Sequence, residues 1–327
     1  MKIDFRKTFF GLIIAGLISY VLLRQVHPGD VAHAFGALDR NYLMAALLIL
    51  LMMNGLKAWR FSALLFGELS FRDLVPIVFL HNLFISFMPS RTGEVSYLYL
   101  LKKRFNVGVG QSLASLMIAR VLDVLVILLL IFGTLLFAFP GQLAPVRKFL
   151  PLIVLGVIGL IVAFYVLLFQ AEFLYNLLDK WFANIRLYDK RFIGSLARKG
   201  VEILGAFTRR YTHLALLRIA VVTVAIWLLT FGFEFMLFRG LGLQISYWQF
   251  LIASFFPVLT HIIPVQSFGG IGTYEATITG GFVLLGFDAG RVIPMTFAVH
   301  LVQLALTAIF GLLGYWFYRT AKIQAKI

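Results

Sequence analysis

Arg120 and Asp123 stand three residues apart inside Ser112 to Phe139, a run that is otherwise almost wholly apolar. On a helix that spacing puts both side chains on one face, near enough to pair. Charges so deep in an apolar segment cost several kcal/mol unless paired or wetted, so the pair is either a binding element or a purely structural ion pair. Two polar breaks offer a second kind of chemistry. Pro89-Ser90-Arg91-Thr92-Gly93-Glu94 and Pro264-Val265-Gln266-Ser267-Phe268-Gly269-Gly270-Ile271-Gly272-Thr273-Tyr274-Glu275 each follow an apolar run, begin with Pro and end on Glu. Pro and Gly interrupt helices, and the backbone N–H and C=O groups they free persist at membrane depth only against protein or water. Such N–H groups, with the start of a half-helix, suit a phosphate. Arg91 and Arg120 would add a charged fork to it.

The substrate-contacting candidates are therefore Arg91, Glu94, Arg120 and Asp123 from the first break and the long helix. From the second they are Gln266, Ser267, the backbone of Gly269, Gly270 and Gly272, and Glu275. Glu94, Asp123 and Glu275 would balance the arginines, position a cationic group or carry protons. Secondary candidates are Glu234, with Thr223 and Thr230 on one helix face, and His300, with Gln303 and Thr307 on another. His81, His261 and His300 are more often interhelical hydrogen-bond partners than ligands. Neither the histidines nor the carboxylates have metal-site spacing, Gly269-Gly270-Ile271-Gly272 has no strand before it to make a nucleotide fingerprint, and no serine–histidine–acid set is readable. No catalytic residue, metal or cofactor is expected.

The elements that must position these residues are membrane helices. The 327-residue chain is 61% hydrophobic and 13% charged and carries a net charge of +15, whereas soluble globules are about 25% charged. A helix needs roughly 20 apolar residues to cross about 30 Å of hydrocarbon. Full spans are read at Phe9 to Leu23, Tyr42 to Leu56, Ser112 to Phe139, Phe149 to Phe169, Leu214 to Phe238 and Val292 to Tyr318. The first follows Lys2, Arg6 and Lys7 and reads as a retained signal anchor. Leu74 to Met88 and Trp248 to Ile263 are shorter, and each runs into a break followed by a further short apolar piece. The expected fold is thus an all-α polytopic membrane protein of about six full spans plus two re-entrant helical hairpins, forming one transmembrane domain over residues 1–327.

The basic excess belongs to membrane topology rather than to nucleic acid. The 170–213 connection carries eight Lys/Arg, and placing it, residues 57–73 and both termini in the cytoplasm satisfies the positive-inside bias. Its apolar positions, among them Leu174, Leu177, Leu178 and Trp181, recur with helical period, so it either lies along the headgroups or packs on the bundle. The chain has no cysteine, which excludes disulfides and thiol catalysis.

The breaks also align with one another. Ser70-Phe71 lies 19 residues before Pro89 and Ser246-Tyr247 lies 18 before Pro264; Phe105-Asn106-Val107-Gly108 and Phe287-Asp288-Ala289-Gly290 begin 11 and 12 residues after the two glutamates. Residues 42–139 and 214–318 then read as repeats, span–hairpin–span, with the first hairpin entering from the cytoplasm and the second from outside. Inverted repeats with interrupted helices are a transporter signature.

Pro89 to Glu94, followed by Ala119-Arg120-Val121-Leu122-Asp123 and then by the glycine cluster of Pro264 to Glu275, resembles the transmembrane, flippase-like domain family of the lysylphosphatidylglycerol synthetases. The resemblance covers nearly the whole chain. It implies a polytopic bundle with re-entrant helices that moves lipids between leaflets. The aminoacyl-transferase domain of two-domain members is absent from the sequence given, so lipid lysylation is not implied. The expected function is a flippase or transporter, not an enzyme, for a phospholipid, glycolipid or polyprenyl-phosphate-type lipid of the cytoplasmic (inner) membrane. The expected partners are membrane lipids with an anionic phosphate headgroup and no nucleic acid, with a homo-oligomer left open. The alternatives are a small-solute or ion secondary transporter and, further off, a membrane-embedded lipid transferase using Glu94 or Glu275 as base.

Overall fold

A computed structural model describes residues 35–138, 150–184, 211–262 and 267–320, together with isolated positions 29, 33 and 194. The proposed signal anchor, most of the second part of the basic connection, and Pro264 to Gln266 lie outside the described residues. Among the described residues every regular element is helical. In chain order they are α1 (Arg40–Leu64), α2 (Phe71–Phe87), a 3-10 turn over Pro89–Glu94, α3 (Val95–Phe105), α4 (Val109–Ala138), α5 (Leu150–Phe169), α6 (Ala171–Asn184), α7 (His213–Gly240), α8 (Tyr247–Ala253), α9 (Phe255–Ile262), a 3-10 turn over Phe268–Gly270, α10 (Thr273–Leu284) and α11 (Ala289–Thr320). By length and composition α1, α4, α7 and α11 suffice to cross a membrane. The protein is a multi-pass membrane protein, and leucines and methionines such as Met44, Leu48, Leu217 and Leu312 on the outer faces of its long helices are exposed, as lipid-facing residues are.

The same order of elements occurs twice: long helix, short helix, 3-10 break, short helix, long helix, with the second short helix divided into α8 and α9. Each copy starts its short helix in the same way. Ser70 and Ser246 accept from the N–H groups of Asp73 and Gln249, whose side chains reach back to the serine N–H groups. These capping boxes satisfy helix-end donors that would otherwise be costly to bury.

The breaks do not open into loops. Gly93 packs onto the last turn of α2, where a Cβ would collide with the carbonyl oxygen of Phe84, so the chain folds back and α3 lies against α2. At the second break Gly269, Gly270 and Gly272 have φ of 64°, 70° and 87°, a region that favours glycine; α10 then packs on α8 and α9. The two breaks touch one another.

Both ends of each folded segment come together. Gln111 Nε2 at the start of α4 donates to Glu68 Oε2 before α2, 2.7 Å away. Arg291 at the start of α11 donates to the carbonyl of Gly242 before α8, at 3.2 Å. Helices α1 and α7 run antiparallel: Gly240 sits on Tyr42, and the Tyr211 hydroxyl, just before α7, reaches the Leu64 carbonyl at 2.8 Å. Glu68 and Gly242 therefore mark opposite ends of the bundle.

One boundary moves a functional region. The sequence reading ends the second span at Leu56 and gives Lys57 and Arg60 to a cytoplasmic connection; the helix instead continues to Leu64. Phe61, Leu64 and Leu65 extend its apolar face into a buried cluster with Leu74, Ile77 and Tyr97, which carries the two basic residues inside. A second cluster, built around Phe238, Phe250 and Phe282, fills the other end.

Candidate functional site

Between these clusters lies a cavity of about 280 Å³, lined by both copies of the repeated element order. Its residues come from α1, α2, α4, α7, α9, α10 and α11 and from Ser254 between α8 and α9, including Lys57, Arg60, Arg120, Asp123, Glu234 and Gln303. So many charges among apolar helices need either partners or a polar occupant.

Asp123 is the centre of the paired set. Arg60, only 4% exposed, donates from Nη1 to Asp123 Oδ1 at 2.6 Å. The indole of Trp227 donates to the same oxygen at 3.0 Å, and Arg120 Nη1 approaches Oδ2 at 3.4 Å. Arg120 also faces Glu94, with Nε 3.2 Å from Oε1. Arg60 Nη1 lies 3.4 Å from the Thr223 hydroxyl as well. Three helices and the end of the first break are thereby tied through one buried carboxylate. Partner loss would leave an uncompensated charge, and breaking a buried pair on one side costs about 3–5 kcal/mol.

Four buried side-chain atoms among the described residues make no well-aligned hydrogen bond: Arg60 Nε, His81 Nε2, Ser254 Oγ and Arg120 Nε, the last facing Glu94 as an ion pair only. All four residues line the cavity. Buried polar groups are normally satisfied, so a cavity edged by the Arg60 Nε donor and by the unsatisfied His81 Nε2 and Ser254 Oγ is suited to a polar ligand that offers an oxygen acceptor to Arg60.

The sequence candidates divide between two places. Arg120 and Asp123 line the cavity, Glu94 adjoins Arg120, and Glu234 and Gln303 line it from α7 and α11, as does Thr307. Tyr274 joins the other side, its hydroxyl 3.4 Å from Glu234 Oε2. The remaining described candidates form a hydrogen-bonded cluster beside the cavity, joined to it where the His300 ring packs on Tyr274. Glu275, 1% exposed, accepts from the Gly272 N–H at 2.6 Å and lies 2.6 Å from His300 Nδ1. Ser267 donates to the Ile271 carbonyl, and the Gly270 N–H is taken by Ser267. Hence Ser267, Gly269, Gly270, Gly272, Glu275 and His300 shape the turn rather than line the cavity. The Arg91 and His261 side chains and the whole of Gln266 lie outside the described residues.

Sequence reasoning missed Lys57, Arg60 and Trp227. Lys57 and Arg60 are three apart on the face that also holds Asn54, and the apolar period continues to Leu64. That continued period, with the need of Asp123 for a partner beyond its own helix, is the signal that would have found them.

No curated protein and no solved structure matches the chain. The model for the lysylphosphatidylglycerol synthase TM region matches residues 8–311, most of the chain, and with this bundle of apolar helices around a charged cavity the protein belongs to that family.

Proposed function

We propose that the protein moves a membrane lipid between leaflets of the cytoplasmic membrane, holding the polar headgroup in the cavity while the acyl chains stay in the bilayer. The observation that carries this reading is the cavity itself, whose unsatisfied polar atoms and ion pairs sit amid apolar helices and adjoin two touching breaks. At about 280 Å³ it is below the roughly 300–1,000 Å³ typical of sites for drug-sized ligands; it suits a headgroup, not a whole diacyl lipid. Arg60, Arg120 and Lys57 supply positive charge for a phosphate.

In this reading the breaks are the tips of re-entrant hairpins, and the contacts of Gln111 with Glu68 and of Arg291 with Gly242 support entry from opposite faces. The two copies are then inverted repeats, the architecture in which binding at the midplane alternates between sides. The protein acts as a transporter rather than an enzyme, with both termini in the cytoplasm.

The test is translocation of fluorescent phospholipid in reconstituted vesicles, scored by access of a membrane-impermeant reductant. Arg120→Ala removes a charged donor contact and lowers the rate about tenfold or more. Translocation by that variant at the unaltered rate overturns the assignment. Transport of a soluble anion without lipid movement would assign the cavity to a solute carrier instead.

A further inference from the structure

Two charges in the cavity are left over after the ion pairs are drawn. Lys57 lines it and makes neither ion pair nor hydrogen bond among the described residues. Glu234 lines it too and makes no ion pair among the described residues: its hydrogen bonds are to the hydroxyl of Tyr274 and the amide of Gln303, and His300, which is near enough to act on it electrostatically, is hydrogen-bonded to Glu275 instead. Among the described residues the other carboxylates lining or adjoining the cavity, Asp123 and Glu94, are paired with arginine. An isolated charge inside a membrane protein requires compensation, and here the unmatched pair has opposite signs.

The two groups do not compensate each other. On the antiparallel helices α1 and α7, Thr230 is hydrogen-bonded to Met53. Lys57 stands four residues beyond Met53 in one direction and Glu234 four beyond Thr230 in the other, so their backbones are about 12 Å apart along the bundle axis at 1.5 Å per residue. Long side chains directed into one cavity bring both charges within reach of a single headgroup while keeping them from pairing. The unpaired donor Arg60 Nε faces the same cavity, and Arg60 and Arg120 are gathered at Asp123. Opposite them stand the acceptor Glu234 and its two neutral neighbours.

We infer that the cavity is bipolar and takes a zwitterionic ligand, its phosphate held by Lys57, Arg60 and Arg120 and its primary ammonium held by Glu234. Resting on the lipid reading above, this names a phosphoethanolamine-type headgroup as the preferred substrate class. A purely anionic headgroup leaves Glu234 uncompensated; a purely cationic one leaves Lys57 so.

The test is binding to the full chain in dodecyl maltoside micelles, read by native mass spectrometry with dioleoyl phosphatidylethanolamine, dioleoyl phosphatidylglycerol and soluble O-phosphoethanolamine as probes. The unaltered protein prefers the ethanolamine lipid over the glycerol lipid about tenfold, the effect of one charge-assisted hydrogen bond. Glu234→Gln brings that ratio to about one, whereas Glu234→Asp keeps most of the preference. Lys57→Ala weakens both lipids together. An unchanged ratio in Glu234→Gln overturns the bipolar site and leaves the lipid reading standing. Soluble O-phosphoethanolamine binding as tightly as the lipid keeps the zwitterion chemistry but overturns the lipid as its source. Binding of neither lipid nor the soluble compound overturns both readings.

Discussion

Asp123 accepts from a buried arginine, an indole and a second arginine, so its removal strands Arg60 more than it removes an attraction. Asp123→Ala is expected to destabilise the protein by about 3–5 kcal/mol, visible as a lowered melting temperature in detergent. The double variant Arg60→Met, Asp123→Leu removes both charges and recovers most of that loss, since buried pairs replaced by packed apolar residues are often neutral. It does not recover translocation. Stability and transport thus separate at one pair, and a double variant as unstable as Asp123→Ala would show that the pair contributes more than mutual neutralisation.

At the scale of the elements, the breaks hold their shape through close packing and capping. Gly93→Ala sets a Cβ against the Phe84 carbonyl, and neither backbone can give way without opening the fold-back. A loss of about 1–3 kcal/mol, the cost of overpacking, is expected in thermal melts. Ser70→Ala and Ser246→Ala each remove a capping box and are expected to cost about 1 kcal/mol. Similar losses at both positions would match the repetition of the element order; a loss at one alone would show that the other cap is redundant. The existence of these short helices and breaks is legible from the Pro/Gly/Glu pattern, because chain-breaking residues act locally. The length of α1 is not. A basic pair after an apolar run resembles an interfacial boundary, and only packing of Phe61 and Leu64 against α2 and α3 makes Lys57 and Arg60 interior.

For the whole molecule, the absence of cysteine makes introduced thiols unambiguous reporters. Cysteine at Arg72 or Lys103, flanking the first folded segment, is expected to react from the cytoplasmic side with an impermeant maleimide. Cysteine at Gln244 or Ala289, flanking the second, is expected to react from the opposite side. All four positions are exposed. Labelling of Arg72→Cys and Lys103→Cys from different sides would mean that α2 and α3 together cross the membrane, and the inverted arrangement would fall. Helix α6 belongs to this scale as well: Phe173, Leu177 and Trp181 form an exposed apolar stripe at four-residue spacing, as a helix lying in the headgroup region would present.

Composition and hydropathy were enough to read a polytopic helical membrane protein, and the Pro/Gly/Glu pattern to read two broken segments in matching positions, because these rest on local propensity and on the length of apolar runs; the family was legible only through the resemblance of those motifs. The charged cavity followed only in part. Arg120 and Asp123 are visible as a pair because they are one turn apart on one helix, whereas Arg60 and Trp227 meet Asp123 from residues 63 and 104 positions away. The same distance in sequence hides that His300 is hydrogen-bonded to Glu275, while Glu234 is hydrogen-bonded only to a tyrosine and a glutamine. Which buried charges compensate one another depends on how the helices pack, and that packing selects the occupant the cavity can hold.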